Sequence, residues 1–178
     1  MAPVARPLSP PEISERLRAQ LGDDLLAADD SFGHAAVRVA ASRYHEAVQL
    51  CRDEPTLACA YCDFVGGVDR GDDGFEVVTA LFSITHHHNV RITVPLPARD
   101  PAIDTISDLY PTANWHEREL MEMFGIEVTG HPQPVKLLLP EPFEGHPLRK
   151  DFPLMSRVAK PWPGEAEAED GEGEGGEE

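Results

Sequence analysis

The sequence predicts an α+β fold: a two-layer sandwich of helices on a mixed, largely antiparallel sheet, followed by an extended C-terminal arm. Three observations predict it. Helical periodicity is confined to short stretches near the N-terminus, around residues 42–51 and after Pro111; strand-like runs fill residues 57–96; and residues 132–163 hold eight of the chain's 17 prolines.

Ser9-Pro10-Pro11-Glu12 opens the first helix, with Ser as N-cap, Pro at the first helical position and Glu three residues after the cap. Ile13, Leu17 and Leu21 follow on one stripe and Gly22 ends it. Asp24–Ala28 and Ala35–Ala40 are expected as short strands, after which Ser42 caps a helix with Tyr44, Ala47, Val48 and Cys51 on one face. Leu57–Val65 and Phe75–Ile84 are apolar on both alternating faces, as central strands are, and the glycines and aspartates of residues 66–74 connect them as a hairpin. Val90, Ile92, Val94 and Leu96 alternate with Arg91, Thr93 and Pro95, which predicts a half-exposed strand near an edge. Asp100-Pro101 is expected to open a short helix with Ile103, Ile106 and Tyr110 on one side. Asn114 is expected to cap a further helix, with Glu117 completing a capping-box pair and Gly125 closing the C-terminus.

These readings divide the chain into an α+β domain over residues 1–129, a proline-rich partner-binding arm over 130–163 and a disordered acidic tail over 164–178. The arm carries Val135, Leu137, Leu138, Leu139, Phe143, Leu148, Phe152, Leu154 and Trp162, too many apolar groups for a solvated linker. It therefore needs a surface, its own domain or a partner, and the pattern favours a partner. The tail has eight acids and no base, and it cannot bury enough surface to offset its ordering entropy. The chain's formal net charge is −17, and the folded part stays acidic without the tail, which argues against nucleic acid as a partner and against direct binding to an anionic lipid surface. No apolar run approaches the roughly 20 residues that span a bilayer, and prolines and acids stand where a signal peptide would be apolar. The expectation is a cytosolic chain that meets a membrane only through other proteins.

Candidate chemistry is sparse. Cys59-Ala60-Tyr61-Cys62 has the spacing of a redox or metal motif, but within a strand residues three apart face opposite sides, so buried free thiols are expected. His86-His87-His88 splay likewise and are expected at a strand end or turn. His116-Glu117-Arg118-Glu119-Leu120 begins like a zinc-protease helix but has Leu120 where the second histidine belongs. Residues 69–74 lack the third-position acid of a calcium loop. No catalytic, cofactor-binding or metal-binding residue is assigned. On the helix after Asn114, Arg118 and Glu122 are four apart with Glu119 beside them. Two readings stay open for that face: weak solvated ion pairs of ~0.5 kcal/mol each, or a partner-binding surface.

The residues around this helix and in the arm resemble a known family. Glu117-Arg118-Glu119-x-x-Glu122-Met123-Phe124-Gly125-Ile126, preceded by Trp115 and followed by Gly130-His131-Pro132 and Val135-Lys136-Leu137-Leu138, is similar to the signature of the 30 kDa-type subunit of NADH-quinone oxidoreductase, respiratory complex I. The block Gly145-His146-Pro147-Leu148-Arg149-Lys150-Asp151-Phe152-Pro153 resembles the arm of that family. The likeness is strong over about residues 105–155 and diffuse over 24–104. Position 122, often Asp in the family, is Glu here, and Met121 stands where an aromatic is frequent. The resemblance implies a subunit with no cofactor of its own, peripheral on the cytoplasmic side of the cell inner membrane. It implies contact with the quinone-site (49 kDa-type) subunit and adjacent iron–sulfur subunits in a hetero-oligomer, with NADH, FMN, iron–sulfur clusters and quinone in those partners. Its expected part is to hold them in register for electron transfer from NADH to quinone coupled to proton translocation. One alternative is the equivalent subunit of a membrane-bound [NiFe] hydrogenase or of a quinone oxidoreductase with another donor. A second is a stand-alone metal- or thiol-binding protein using Cys59, Cys62 and His86–His88.

Overall fold

The computed structural model describes residues 7–30 and 32–153. Helix α1 (Pro10–Leu21) starts on the expected capping box: the backbone N–H and the hydroxyl of Ser9 both donate to Glu12 Oε2, at 2.7 and 2.6 Å. Its apolar stripe Ile13, Leu17 and Leu21 is buried and Gly22, at φ 59°, ends it. Strands β1 (Leu25–Asp29) and β2 (Ala35–Val39) form an antiparallel pair. Helix α2 (Tyr44–Asp53) follows a single 3₁₀ turn, so Arg43 and not Ser42 precedes it, and no side chain caps it. Tyr44, Ala47, Val48 and Cys51 are nevertheless all in the core.

Strands β3 (Tyr61–Asp69), β4 (Phe75–Ser83) and β5 (His88–Leu96) complete a five-stranded sheet ordered β1-β2-β5-β4-β3, antiparallel except between β2 and β5. Two strand placements differ from expectation. β5 is the central strand, not an edge: β2 pairs with it from Val90 to Thr93, and Pro95 lies past the end of that ladder, where its missing N–H costs no bond. β3 is an edge strand, and residues 57–60 precede it in irregular structure. Its apolar residues on both faces divide between the core (Cys62, Val65) and the open side (Tyr61, Phe64). The strand also runs through Gly66 and Gly67 to Asp69, which shortens the hairpin turn to Arg70–Gly74.

The segment after Asp100 is the largest difference. No helix forms there; β6 (Ala102–Asp104) pairs in parallel with β7 (Glu127–Thr129), and turns lie at residues 107–109 and 111–112. Ile103, Ile106 and Tyr110 are buried as expected, because a short strand followed by a turn brings the same three side chains inward. Helix α3 (Ala113–Phe124) lies against β3. That approach depends on Gly67, where a Cβ would stand 2.7 Å from the Phe124 ring. The inward sheet residues Val37, Ile92, Val94, Val77 and Leu81 meet the helices in one core, and the opposite sheet face is open. Two layers of this kind, with a mixed sheet and three helices, are the fold class the sequence predicts.

Candidate functional site: a helix that holds its own arm

The site is the surface of α3 and the arm that runs over it. Residue spacing places Glu117, Leu120 and Phe124 on the inner side of the helix and Arg118 and Glu122 on the side facing the arm.

Arg118 and Glu122 do not pair with each other. Arg118 donates from Nε to the Val135 carbonyl (2.8 Å) and from Nη2 to the Lys136 carbonyl (2.7 Å). The Glu122 carboxylate accepts three successive backbone N–H groups, those of Leu137 (3.1 Å) and Leu138 (2.7 Å) on Oε2 and of Leu139 (2.7 Å) on Oε1. One cation thus takes two carbonyls and one anion takes the next three amides, so five consecutive residues are fixed by their backbone alone. Burial works against the Glu122 charge, but the three amides and the nearby Lys136 outweigh it and hold the carboxyl below its ordinary range. Lys136 Nζ turns back onto the arm and donates to the carbonyls of Glu141 (3.0 Å) and Phe143 (3.1 Å).

A second set of bonds closes the end of α3. The final carbonyls of a helix lack intrahelical partners, and here the arm supplies donors to three in a row. His146 Nδ1–H donates to Glu122 O (2.9 Å), the Leu148 N–H to Met123 O (3.2 Å) and Arg149 Nε to Phe124 O (2.5 Å). Gly125 takes the left-handed conformation at φ 66°, ψ 30°, and a Cβ there would stand 2.5 Å from His146 Nε2. The Arg149 guanidinium lies 5.2 Å from the centre of the Phe75 ring, Phe143 stacks on Phe152 at 5.9 Å, and the Lys150 N–H donates to Asp69 Oδ2 (2.7 Å).

Glu117 belongs to the opposite side of the helix. The expected capping box with Asn114 is absent, since Thr112 precedes the helix and Glu117 lies in its second turn. The Glu117 carboxylate accepts the Ile106 N–H (2.6 Å) and the Thr105 hydroxyl (2.6 Å), and so anchors the segment that was expected to be helical. Burial raises its pKa, and these two donors offset only part of the effect. His131 Nε2 stands 3.7 Å from Glu117 Oε2; that nitrogen donates to Asn114 O (3.1 Å), and Nδ1 accepts the Gln133 N–H (3.0 Å). His131 therefore fixes the root of the arm through both ring nitrogens.

The signature residues thus divide. Arg118, Glu122, Phe124, Gly125, Lys136, His146, Arg149 and Lys150 meet in the clamp, with Gly145 and Phe152 in contact beside it. Glu117 and His131 form the inner anchor. Trp115, which is 69% exposed, and Glu119, Pro132, Pro147, Asp151 and Pro153 take no part in these bonds. Asp69, Phe75 and Thr105 complete the site, and nothing in their local sequence marks them. The other candidates are structural: Cys51, Cys59 and Cys62 are free and buried, and burial pushes the Cys59 and Cys62 thiols up to about 12. His86 and His88 stack at the β4–β5 turn and meet the carbonyls of Pro55 and Leu57 through Nε2. Among the described residues there is no group of three or more His, Cys, Asp or Glu arranged to hold a metal ion, and no helix long and apolar enough to cross a membrane.

A family profile described as "Respiratory-chain NADH dehydrogenase, 30 Kd subunit" matches residues 37–158. The chain belongs to this family. It is 40% identical over 149 residues to a NADH-quinone oxidoreductase subunit of Roseiflexus castenholzii, covering 83% of this chain and 86% of that one. It is 39% identical over 153 residues to the NADH-quinone oxidoreductase subunit of the same name in Mycolicibacterium gilvum, covering 80% and 67%. Among solved structures, a trypsin-resistant fragment (1–134) of Nqo5 superposes with a TM-score of 0.58 at 26% identity, covering 68% of this chain and 96% of the fragment. A chain of an archaeal membrane-bound sulfane sulfur reductase superposes at 0.64 with 18% identity, over 82% and 86%, and shares the fold. The family match takes in both α3 and the described arm, so the clamp lies within the part of the chain that defines the family.

Proposed function

We propose that the chain is a non-catalytic, cofactor-free subunit of a proton-translocating NADH-quinone oxidoreductase, and that it acts by presenting the clamped arm to neighbouring subunits. The observation that carries this reading is the orientation of the arm. Its backbone is tied to α3 at every residue from Val135 to Leu139, yet Leu138 is 59% exposed and Val135, Leu137 and Leu148 are also exposed. Polar groups that normally face water are spent on the subunit's own helix, and apolar groups that normally face inward are left outside. Such a ridge, rigid before it binds, loses little conformational entropy on docking. The sequence leaves the arm its own domain or a partner as its surface and favours a partner. Its own domain holds the backbone from Val135 to Leu139, and the side chains remain for a partner.

The partners this reading implies are the quinone-site (49 kDa-type) subunit and adjacent iron–sulfur subunits of the peripheral arm, which would carry the NADH, FMN, iron–sulfur and quinone sites. The chain would be peripheral on the cytoplasmic side of the inner membrane and bound there through those subunits. Its contribution to electron transfer is positional, since fixed subunits keep fixed distances between cofactors. The shared fold of the sulfane sulfur reductase chain keeps a related membrane-bound oxidoreductase or hydrogenase with another donor as the second reading. Replacing Leu137 and Leu138 together by Asp in the cell that makes the complex, then purifying the complex by another subunit and identifying what copurifies, tests the first. The expected result is a folded mutant subunit missing from the purified complex. Full incorporation of the mutant would overturn the docking role, and copurification of a nickel-site large subunit would select the second reading.

A further inference from the structure

The open face of the sheet carries a feature that the described arm does not use. Glu76 points from β4 to this face and yet is only 5% exposed, because two arginines cover it. Arg38 donates to Oε1 at 2.9 Å, and Arg70 reaches Oε2 through both Nε (2.7 Å) and Nη2. Arg91 stands on β5 beside them, opposite Ala36 and Ala80, and has no ion pair among the described residues. Small side chains between the arginines leave a trough of about 320 Å³ floored by Ala36, Val78 and Thr93. Three cations face Glu76 and, at the rim, Asp29, so this is a locally positive site on a chain of net charge −17.

We propose that the chain's own acidic tail, residues 164–178, is the occupant of this trough. Composition and reach both point to it. The tail consists only of glycine, alanine and acids, so it needs no pocket deeper than this floor. Glu165, Glu167 and Glu169 alternate with Ala166 and Ala168, and the small alanines would let neighbouring carboxylates approach Arg91, which has no ion pair among the described residues. The last described residue, Pro153, follows closely on Lys150, whose N–H is bonded to Asp69, the neighbour of Arg70. The ten residues from 154 to 163 can span at most about 35 Å, whereas a five-stranded sheet is about 25 Å wide. This inference is independent of the proposed complex, because it concerns the isolated chain and a different face of the domain.

The test places a spin label on the full chain at Glu174→Cys; the native cysteines are buried and stay unlabelled. Amide broadening is then read by NMR. The expected result is broadening centred on residues 36–38, 76–80 and 91–93, at least halved by Arg91→Glu. It should also be lost at about 1 M salt, where the screening length is about 3 Å. Arg91 has no ion pair to lose, so that variant keeps its fold, and an unchanged melting curve verifies this. Broadening spread evenly, centred elsewhere, or indifferent to Arg91→Glu overturns the proposal. So does broadening that appears only when labelled and isotope-enriched copies are mixed, which would mean that the tail reaches a second molecule.

Discussion

The sheet domain and the arm are held by opposite means. In the domain, apolar side chains such as Ile92, Val94 and Leu17 are fully buried between sheet and helices, and the backbone bonds to itself. In the arm, side chains of α3 grip the backbone and the apolar groups point outward. Cohesion in the first comes chiefly from removing apolar area from water. In the second it comes from charge-assisted hydrogen bonds, which are directional and depend on the charge of particular groups. One helix serves both regions: Glu117 ties α3 inward and Glu122, five residues on, ties it outward. The arm should therefore be separable from the domain by changes that leave the core intact.

The largest effect is expected from the core. Ile92→Ala on the central strand should cost about 2–5 kcal/mol of global stability, read by denaturant unfolding, and the arm should be lost with the domain. Retention of arm protection in an unfolded domain would show that the two are not hierarchically coupled. Next, Glu122→Ala leaves the amides of Leu137, Leu138 and Leu139 without their acceptor. A loss of about 1–3 kcal/mol is expected, visible as faster hydrogen exchange at those three amides while the core amides of β4 and β5 keep their protection. Equal acceleration in both regions would merge what the comparison separates.

Acid should make the same distinction. The Glu122 pKa is depressed in the folded chain, so its contribution is present above the unfolded value of about 4.3 and is lost as pH falls through the folded value. The Glu117 pKa is raised, chiefly by burial, so its protonation as pH falls adds to global stability rather than removing it. As pH falls from about 5 to about 3, the protection of the Leu137–Leu139 amides relative to their intrinsic exchange rates should drop before that of the core, and Glu122→Gln should remove that pH dependence. The smallest effect is expected from Arg118→Ala, at no more than about 1 kcal/mol, because the freed carbonyls of Val135 and Lys136 can turn to water. Exchange should rise only in the neighbourhood of residues 135–139, and a fall in the global melting temperature would show that Arg118 supports the domain itself.

Much of the fold was legible because it rests on local patterns. The capping box at Ser9, the stripes of α1 and α2, the alternation in β5 and the helix stop at Gly125 are short-range signals, and each forms. The structure departs from the local patterns where such signals compete. The residues after Pro101 have helical spacing, but the Glu117 carboxylate takes the Ile106 N–H and pairing with β7 takes the strand, so the same side chains are buried by another conformation. Arg118 and Glu122 fit the i,i+4 pairing rule, yet the arm offers each a denser set of partners than they offer one another.

The sequence by itself determined the two-layer α+β class, the positions of the core residues and the family signature, because periodicity, caps and motif order are written within a few tens of residues. Only the tertiary structure decided that β5 is central, that Glu117 and Glu122 serve opposite sides of one helix, and that the arm's backbone belongs to its own domain. The physical reason is that these outcomes depend on contacts between distant residues, such as Lys150 with Asp69. A carboxylate's choice among several donors is settled by which of them the fold brings near.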